Sequence, residues 1–384
     1  MFTVIDRYIL KALLFNYVIA LAAMLSLYVV LDMFVNLDEF TEQNPPLTVL
    51  LANIAGYYGP NFFLYFSQLS GGITLFACMT TLARMRKARE LTAVLASGVS
   101  LHRIAAPVIG FGLATTALLI LDTEWVIPSY AAKLARDHDD VIGEKTYAVL
   151  FLQDRDDALL SAARFHPINK DLHQLLVLQR DDDGNAVAIL EADHAASEPA
   201  AGRRGMAKRL AVGGQHPAGR WRLERGRLTQ RVRRTDTTLG PREEKRITYP
   251  RYLPSDLDPD AIQMRQSEGW IRFLSLSQLR ELEQRQGRSA GAHRAAILQA
   301  KHARITAPII NMVLLLLGLP FFLDRSPGNI LSDAGKCTLV CGLCYVVTFI
   351  LQSLQPGSMS ALPAWLPIFI FGTLAVVLVD RIRT

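Results

Sequence analysis

Four cations in six residues, Arg84, Arg86, Lys87 and Arg89, are followed at once by an acid, Glu90. Beyond it come three aliphatic residues, Leu91, Val94 and Leu95, spaced i, i+3 and i+4. This spacing predicts a helix of about two turns with a narrow apolar stripe, within residues 86–98 and stopped at Gly98. The chemistry open to such a segment is recognition rather than bond-making. Its stripe can lie along a membrane surface or seat in a partner's groove. Glu90 suits the positive end of the helix dipole and can neutralise a neighbouring cation or meet one on another protein. The same residues also suit a plain loop held on the inner side of a membrane by its positive charge.

Reaction chemistry is sparse elsewhere. There is no G-x4-G-K-[ST] phosphate loop, and no H-E-x-x-H or paired Cys-x-x-Cys zinc arrangement. The chain is therefore not expected to be an enzyme or to hold a cofactor or metal, and any ATP hydrolysis must come from a partner. Cys337, Cys341 and Cys344 are separated only by small and apolar residues, and with Cys78 they fall in long apolar runs. Small-residue helix packing is the expected role. His138, His166 and His216 sit in polar stretches and read as solvated. Few ionisable groups lie deep in the apolar runs, which argues against an ion-coupled carrier.

The elements that must carry these residues are membrane helices. In 384 residues, 51% are apolar, too many for a soluble enzyme of this size. They cluster at Leu10–Leu31, Asn61–Ala83, Ile104–Leu121, Thr306–Leu323, Cys337–Leu354 and Pro363–Val379, each long enough for a hydrocarbon core of about 30 Å. Six spans in two groups of three are expected, with Gly59-Pro60 breaking the chain before the second span and Pro107 opening the third. The loops Asp32–Pro60 and Gln355–Leu362 contain no Lys or Arg. Arg7, Lys11, the five cations Arg84, Arg86, Lys87, Arg89 and Arg103, then Arg325, Lys336, Arg381 and Arg383 would share the inner side. Both termini are then cytoplasmic, and the long segment after the third span lies outside.

That segment changes pattern. Thr146–Gln153, Ala158–Arg164, Gln174–Arg180, Ala186–Ala192, Lys208–Val212, Arg220–Leu223, Arg227–Val232 and Glu244–Tyr249 read as strands, with a hairpin turn at Asp182-Asp183-Gly184-Asn185 and a flexible loop at Ser197–Gly205. Short strands in such number imply an all-β sandwich or jelly roll. Arginines 220, 222, 227, 231 and 233 alternate with Trp221, Leu223, Leu228 and Val232, giving one basic and one apolar face. The basic face can meet lipid phosphates or simply be solvated, and an outer location excludes nucleic acid. Ser275 is placed to cap a helix, and a further helical stretch leads into the fourth span. The expected division is 1–130 for the first membrane half, 131–270 for the β domain, and 271–384 for connecting helices and the second half.

The motifs taken together resemble a known family. Asp6-Arg7-Tyr8, Arg89-Glu90-Leu91-Thr92-Ala93 followed by Ser97-Gly98-Val99-Ser100, Glu124-Trp125-Val126-Ile127-Pro128, Arg304-Ile305-Thr306-Ala307-Pro308 and, in the β domain, Gly219-Arg220-Trp221-Arg222-Leu223 are similar to the LptF/LptG lipopolysaccharide export permeases. The resemblance implies an inner-membrane subunit of an ABC-type exporter with an inserted periplasmic jelly roll. It further implies pairing with a second LptF/LptG-type subunit, docking of an LptB-type ATPase dimer on the inner loops, and passage of lipopolysaccharide or a related glycolipid to a periplasmic bridge protein. Arg89, Glu90, Leu91, Val94 and Leu95 would then couple to the ATPase, and Trp221, Leu223, Leu228 and Val232 would line the lipid path. The acids Asp32, Asp38 and Glu39 stand where the family commonly has basic residues, which leaves the lipid open. The rival reading is a non-transporting scaffold or signal transmitter with an outer β sensor.

Overall fold

The computed structural model describes residues 4–36, 46–135, 146–154, 158–181, 185–198, 219–236, 240–266, 269–285, 291–323, 329–353 and 361–380. The chain divides into two compact units, one of 1–37, 58–128 and 274–384, the other of 38–57 and 129–273. The helices before the strands are α1 (Val4–Val35), α2 (Leu47–Lys87), α3 (Glu90–Ala96), α4 (Leu101–Leu121) and α5 (Ile127–Leu134). Those after them are α6 (Pro259–Gln266), α7 (Leu276–Arg285), α8 (Gly291–Gly318), α9 (Ile330–Ser353) and α10 (Leu362–Asp380). A π-helical turn, Asp122–Val126, joins α4 to α5.

Among the described residues six helices are long and apolar enough to cross a membrane: Val4–Val35, Leu47–Lys87, Leu101–Leu134, Arg294–Phe321, Ile330–Ser353 and Leu362–Asp380. The second does not break at Gly59-Pro60 as expected. A proline forfeits one backbone hydrogen bond and crowds the carbonyl four residues earlier; that residue is Gly56, and a side chain there or at Gly59 would meet nothing. Pro107 likewise lies inside α4, which starts six residues earlier, after Ser100 in extended conformation.

The helical unit has one apolar core, reaching from Ile9 and Leu13 of α1 through Ile73 and Leu82 of α2 to Leu315, Cys341 and Phe371. Small residues set the closest approaches. Leu315 occupies the space a side chain at Gly112 would need, Asn311 does so at Gly71, and Leu75 at Gly318. All four cysteines are free and buried. Cys337 and Cys341 point their thiols at the carbonyls of Gly318 and Leu314, 3.9 and 3.8 Å away. Leu14, Phe15, Leu27 and Phe34 of α1 face outward, where only lipid or a partner can solvate them.

Among the described residues the second unit carries eight antiparallel strands: β1 (Tyr147–Gln153), β2 (Leu159–His166), β3 (Asp171–Arg180), β4 (Ala186–Glu198), β5 (Gly219–Glu224), β6 (Arg227–Asp236), β7 (Gly240–Thr248) and β8 (Tyr252–Ser255). Strands β1 to β4 form a meander, and then the sheet branches. One edge of β4 pairs β6 at Ala188–Glu191 and β5 at His194–Glu198; β5 continues to β8 and β6 to β7. The chain turns between the branches at Arg225, in the left-handed region at φ 54, and Gly226, where an added Cβ would stand 2.8 Å from the Pro250 carbonyl. Val149, Leu160, Phe165, Leu172, Val177, Leu190, Trp221 and Ile262 form the core. The expected strand Lys208–Val212, the turn residues Asp182–Gly184 and most of the loop Ser197–Gly205 lie outside the described residues, although Ser197 and Glu198 extend β4. Strand β8 was not expected.

Candidate functional site

The basic segment forms a corner. α2 ends at Lys87, Arg89 takes a left-handed conformation at φ 58, and α3 starts at Glu90. Gly98, at φ 86, ends that helix and closes a hydrogen bond from its N–H to the Leu95 carbonyl at 3.0 Å, as the sequence predicted. The apolar stripe turns toward the chain's own bundle. Leu91 is buried in the same core as Leu101 and Ile104, and Val94 and Leu95 pack partly buried against it. The opposite face, Thr92, Ala93 and Ala96, is exposed, as are Arg84, Lys87, Arg89 and Arg103 around it. Glu90 Oε2 accepts a 2.9 Å hydrogen bond from the Tyr8 hydroxyl of α1. Arg86 is held away from this surface by a 2.8 Å ion pair with Asp333 of α9.

Three residues of the expected lipid path, Trp221, Leu223 and Leu228, occupy the apolar side of the sheet. Trp221 is 1% exposed and its indole N–H donates to the Leu257 carbonyl at 2.9 Å; Leu223 is buried beside it. Leu228 packs partly buried against that core, whereas Arg220, Arg222 and Arg227 are exposed. Val232 lies in β6 opposite Glu244. The expected alternation therefore holds along β5, with Trp221 and Leu223 acting as core residues.

Several interactions were not visible in the sequence. Asp122, in the third span, is buried, and neither carboxylate oxygen has a hydrogen-bond partner among the described residues. Its electrostatic neighbour is Arg304, which also faces Glu124. Glu124 accepts the Leu276 N–H through both oxygens at 3.1 and 3.0 Å, at the start of α7. Ser275 and Gln278 complete that helix start: the Ser275 N–H donates to Gln278 Oε1 at 2.9 Å, and the Gln278 N–H to Ser275 Oγ at 3.3 Å. The spans thus contain a buried acid and an arginine that their apolar average concealed. His166 is not in a polar loop: it ends β2, its ring 5.2 Å from that of His173. Gly287-Arg288-Ser289-Ala290-Gly291 has the spacing of a hydrolase nucleophile elbow; its first four residues lie outside the described residues, and Gly291 is the first residue of α8.

The arrangement offers a surface for docking, an apolar sheet face and buried charges inside a bundle, with no nucleophile and base brought together among the described residues. Comparison with curated proteins gives no match. The family model described as lipopolysaccharide export system permease LptF/LptG matches residues 7–381, from the foot of the first span to the end of the last and across the inserted sheet. The chain belongs to the LptF/LptG family, a multi-pass inner-membrane permease subunit of lipopolysaccharide export and not itself an enzyme.

Proposed function

We propose that this chain is one of two permease subunits of an ABC-type exporter, receiving movement from an LptB-type ATPase dimer through α3 and passing lipopolysaccharide or a related glycolipid along the β domain to a periplasmic bridge protein. The observation that carries this reading is the way α3 is mounted. Leu91 fixes the helix to the bundle core while Thr92, Ala93 and Ala96 are exposed, with the exposed cations Arg84, Lys87, Arg89 and Arg103 flanking the helix in sequence. A push on a helix so anchored moves the spans with it; a loosely tethered loop would absorb it. Leu91, Val94 and Leu95 are thereby the anchor, and Arg89 and Glu90 are the polar contacts. A carboxylate has about four lone-pair positions, so Glu90 can accept from Tyr8 and still meet a partner cation. The cation asymmetry of the loops supports an inner location for α3 and an outer one for the sheet. Trp221, Leu223, Leu228 and Val232 are the candidate lipid-path residues, within a jelly-roll-like domain. The expected division at 1–130, 131–270 and 271–384 is kept as the working scheme.

The test compares Glu90→Lys with Glu42→Lys in the complex purified in mild detergent. Glu90→Lys is expected to weaken ATPase association by roughly 2 to 5 kcal/mol if the contact is desolvated, or by about 1 kcal/mol at a rim, and to separate ATP hydrolysis from lipid release. Glu42→Lys should change neither. An unimpaired Glu90→Lys complex removes the coupling role, and a complex that holds an ATPase but no glycolipid favours the signal-transmitter reading.

A further inference from the structure

We propose that the β domain carries a zinc site built from His166, Asp171, His173 and His194. Strand pairing brings these residues together from three strands. His166 and Asp171 are direct partners at the β2–β3 hairpin, and His173 and His194 are direct partners across β3 and β4. Asp171 and His173 are two apart in one strand and so share a face. The buried residues at this end of the sheet, Phe165, Leu172 and Ala195, occupy the alternate positions. The four polar side chains therefore stand together on the face opposite the core, none fully exposed.

Their distances suit a metal. The Nε2 atoms of His194 and His173 lie 3.1 and 3.6 Å from Asp171 Oδ2. Ligand atoms around tetrahedral zinc, at bond lengths near 2.1 Å, are about 3.4 Å apart. The coordinating atoms of His166, Asp171 and His173 also lie within 4.8 Å of one another. Asp171 Oδ1 is buried with no hydrogen-bond partner among the described residues, an acceptor that the protein alone leaves unsatisfied.

Outer groups are placed to orient the imidazoles. The Thr146 hydroxyl is 3.0 Å from His166 Nδ1, and Glu224, opposite His194 in the strand register, brings Oε2 to 3.6 Å from its Nδ1. A carboxylate behind a ligating imidazole is the usual second layer of a zinc site. Three imidazoles with one carboxylate match zinc better than calcium or magnesium, which take oxygen donors. Four protein ligands would close the coordination sphere, so the ion would clamp β2, β3 and β4 together instead of activating water.

The experiment uses the full-length protein in detergent, affinity tag removed, stripped with a chelator and dialysed against zinc. Elemental analysis should find one zinc per chain, and cobalt in its place should give the visible absorption of a tetrahedral ion. Zinc should also raise the melting temperature. His173→Asn combined with His194→Asn should abolish all three signals, whereas His102→Asn combined with His216→Asn should keep them. Glu224→Gln should weaken zinc roughly 10-fold or more while retaining the site. Should the histidine pair fail to fold, Asp171→Asn, which keeps the shape and removes the negative ligand, serves in its place. No zinc uptake by the stripped protein, or equal uptake by the Asp171 or histidine variants, overturns the proposal and leaves a hydrogen-bonded surface cluster.

Discussion

Asp333 takes two cations, Arg86 at 2.8 Å and Lys336 at 3.7 Å, and Arg86 also donates to the Phe321 carbonyl at 3.4 Å. The Arg86 pair is largely sheltered, with side chains 10% and 17% exposed, so its loss is not a surface event. Asp333→Asn removes the charge but keeps the shape, and should lower stability by about 1 to 3 kcal/mol, read as a drop in melting temperature of the purified protein. Lys336→Ala, whose side chain is 64% exposed, should change it by less than about 1 kcal/mol. Individual partners such as these were the least legible part of the sequence. Glu90 could be identified as a lone acid after four cations, yet its hydroxyl partner Tyr8 is 82 residues away. Asp122 could be seen leaving a span, but not that Arg304 returns beside it. His166 read as solvated because Asp171 and His173 become its neighbours only through strand register.

Elements were far more legible, because the length of an apolar run and the period of its alternation are local properties. Six runs became six helices, and the alternating stretches around Trp221 and Leu190 became β5 and β4. The misses have physical causes. Two glycines let α2 continue through Pro60, and β8 is four residues containing Pro254, too short to show a period. Helix packing at small residues gives an element-scale prediction. A side chain at Gly112 would overlap Leu315, so Gly112→Ile should separate α4 from α8 and cost about 1 to 3 kcal/mol or block assembly, measured by melting and by yield of the folded complex. Gly110→Ile, where a side chain meets nothing, is the control. In the sheet, the burial of Leu223 changes what a charge there would do: Leu223→Arg would place a cation in the core and unfold the domain before it could obstruct lipid. Photo-crosslinkers at the half-buried Leu228 are the better probe. They should capture glycolipid during ATP turnover, while probes at Leu172 should not; no capture at Leu228 would leave the sheet without a transport path.

On the scale of the whole molecule, the proposed orientation rests on the loop cations. Cysteine substitutions at Arg103 and Asp183 should label from opposite sides of the inner membrane, Arg103 only after permeabilisation and Asp183 from the periplasm. The native thiols will not confuse the readout, since all four are buried. Labelling of both positions from one side would undo the orientation and, with it, the assignment of α3 to an ATPase.

The branch in the sheet has a mechanical consequence. The β6–β7 ribbon is zipped along nine partner pairs, from Leu228 with Thr248 to Asp236 with Gly240. Its ladder to β4 has only four, Ala188 to Glu191 with Gln230 to Arg227. Tension on the ribbon would therefore pass through the shorter ladder first, which would yield while the ribbon itself stayed whole. The Arg225-Gly226 turn, with no room for a side chain at Gly226, is the pivot about which the two branches would part. A strain gauge inserted in this domain belongs across Leu190 and Leu228, where a small displacement would be felt before the ribbon itself opened.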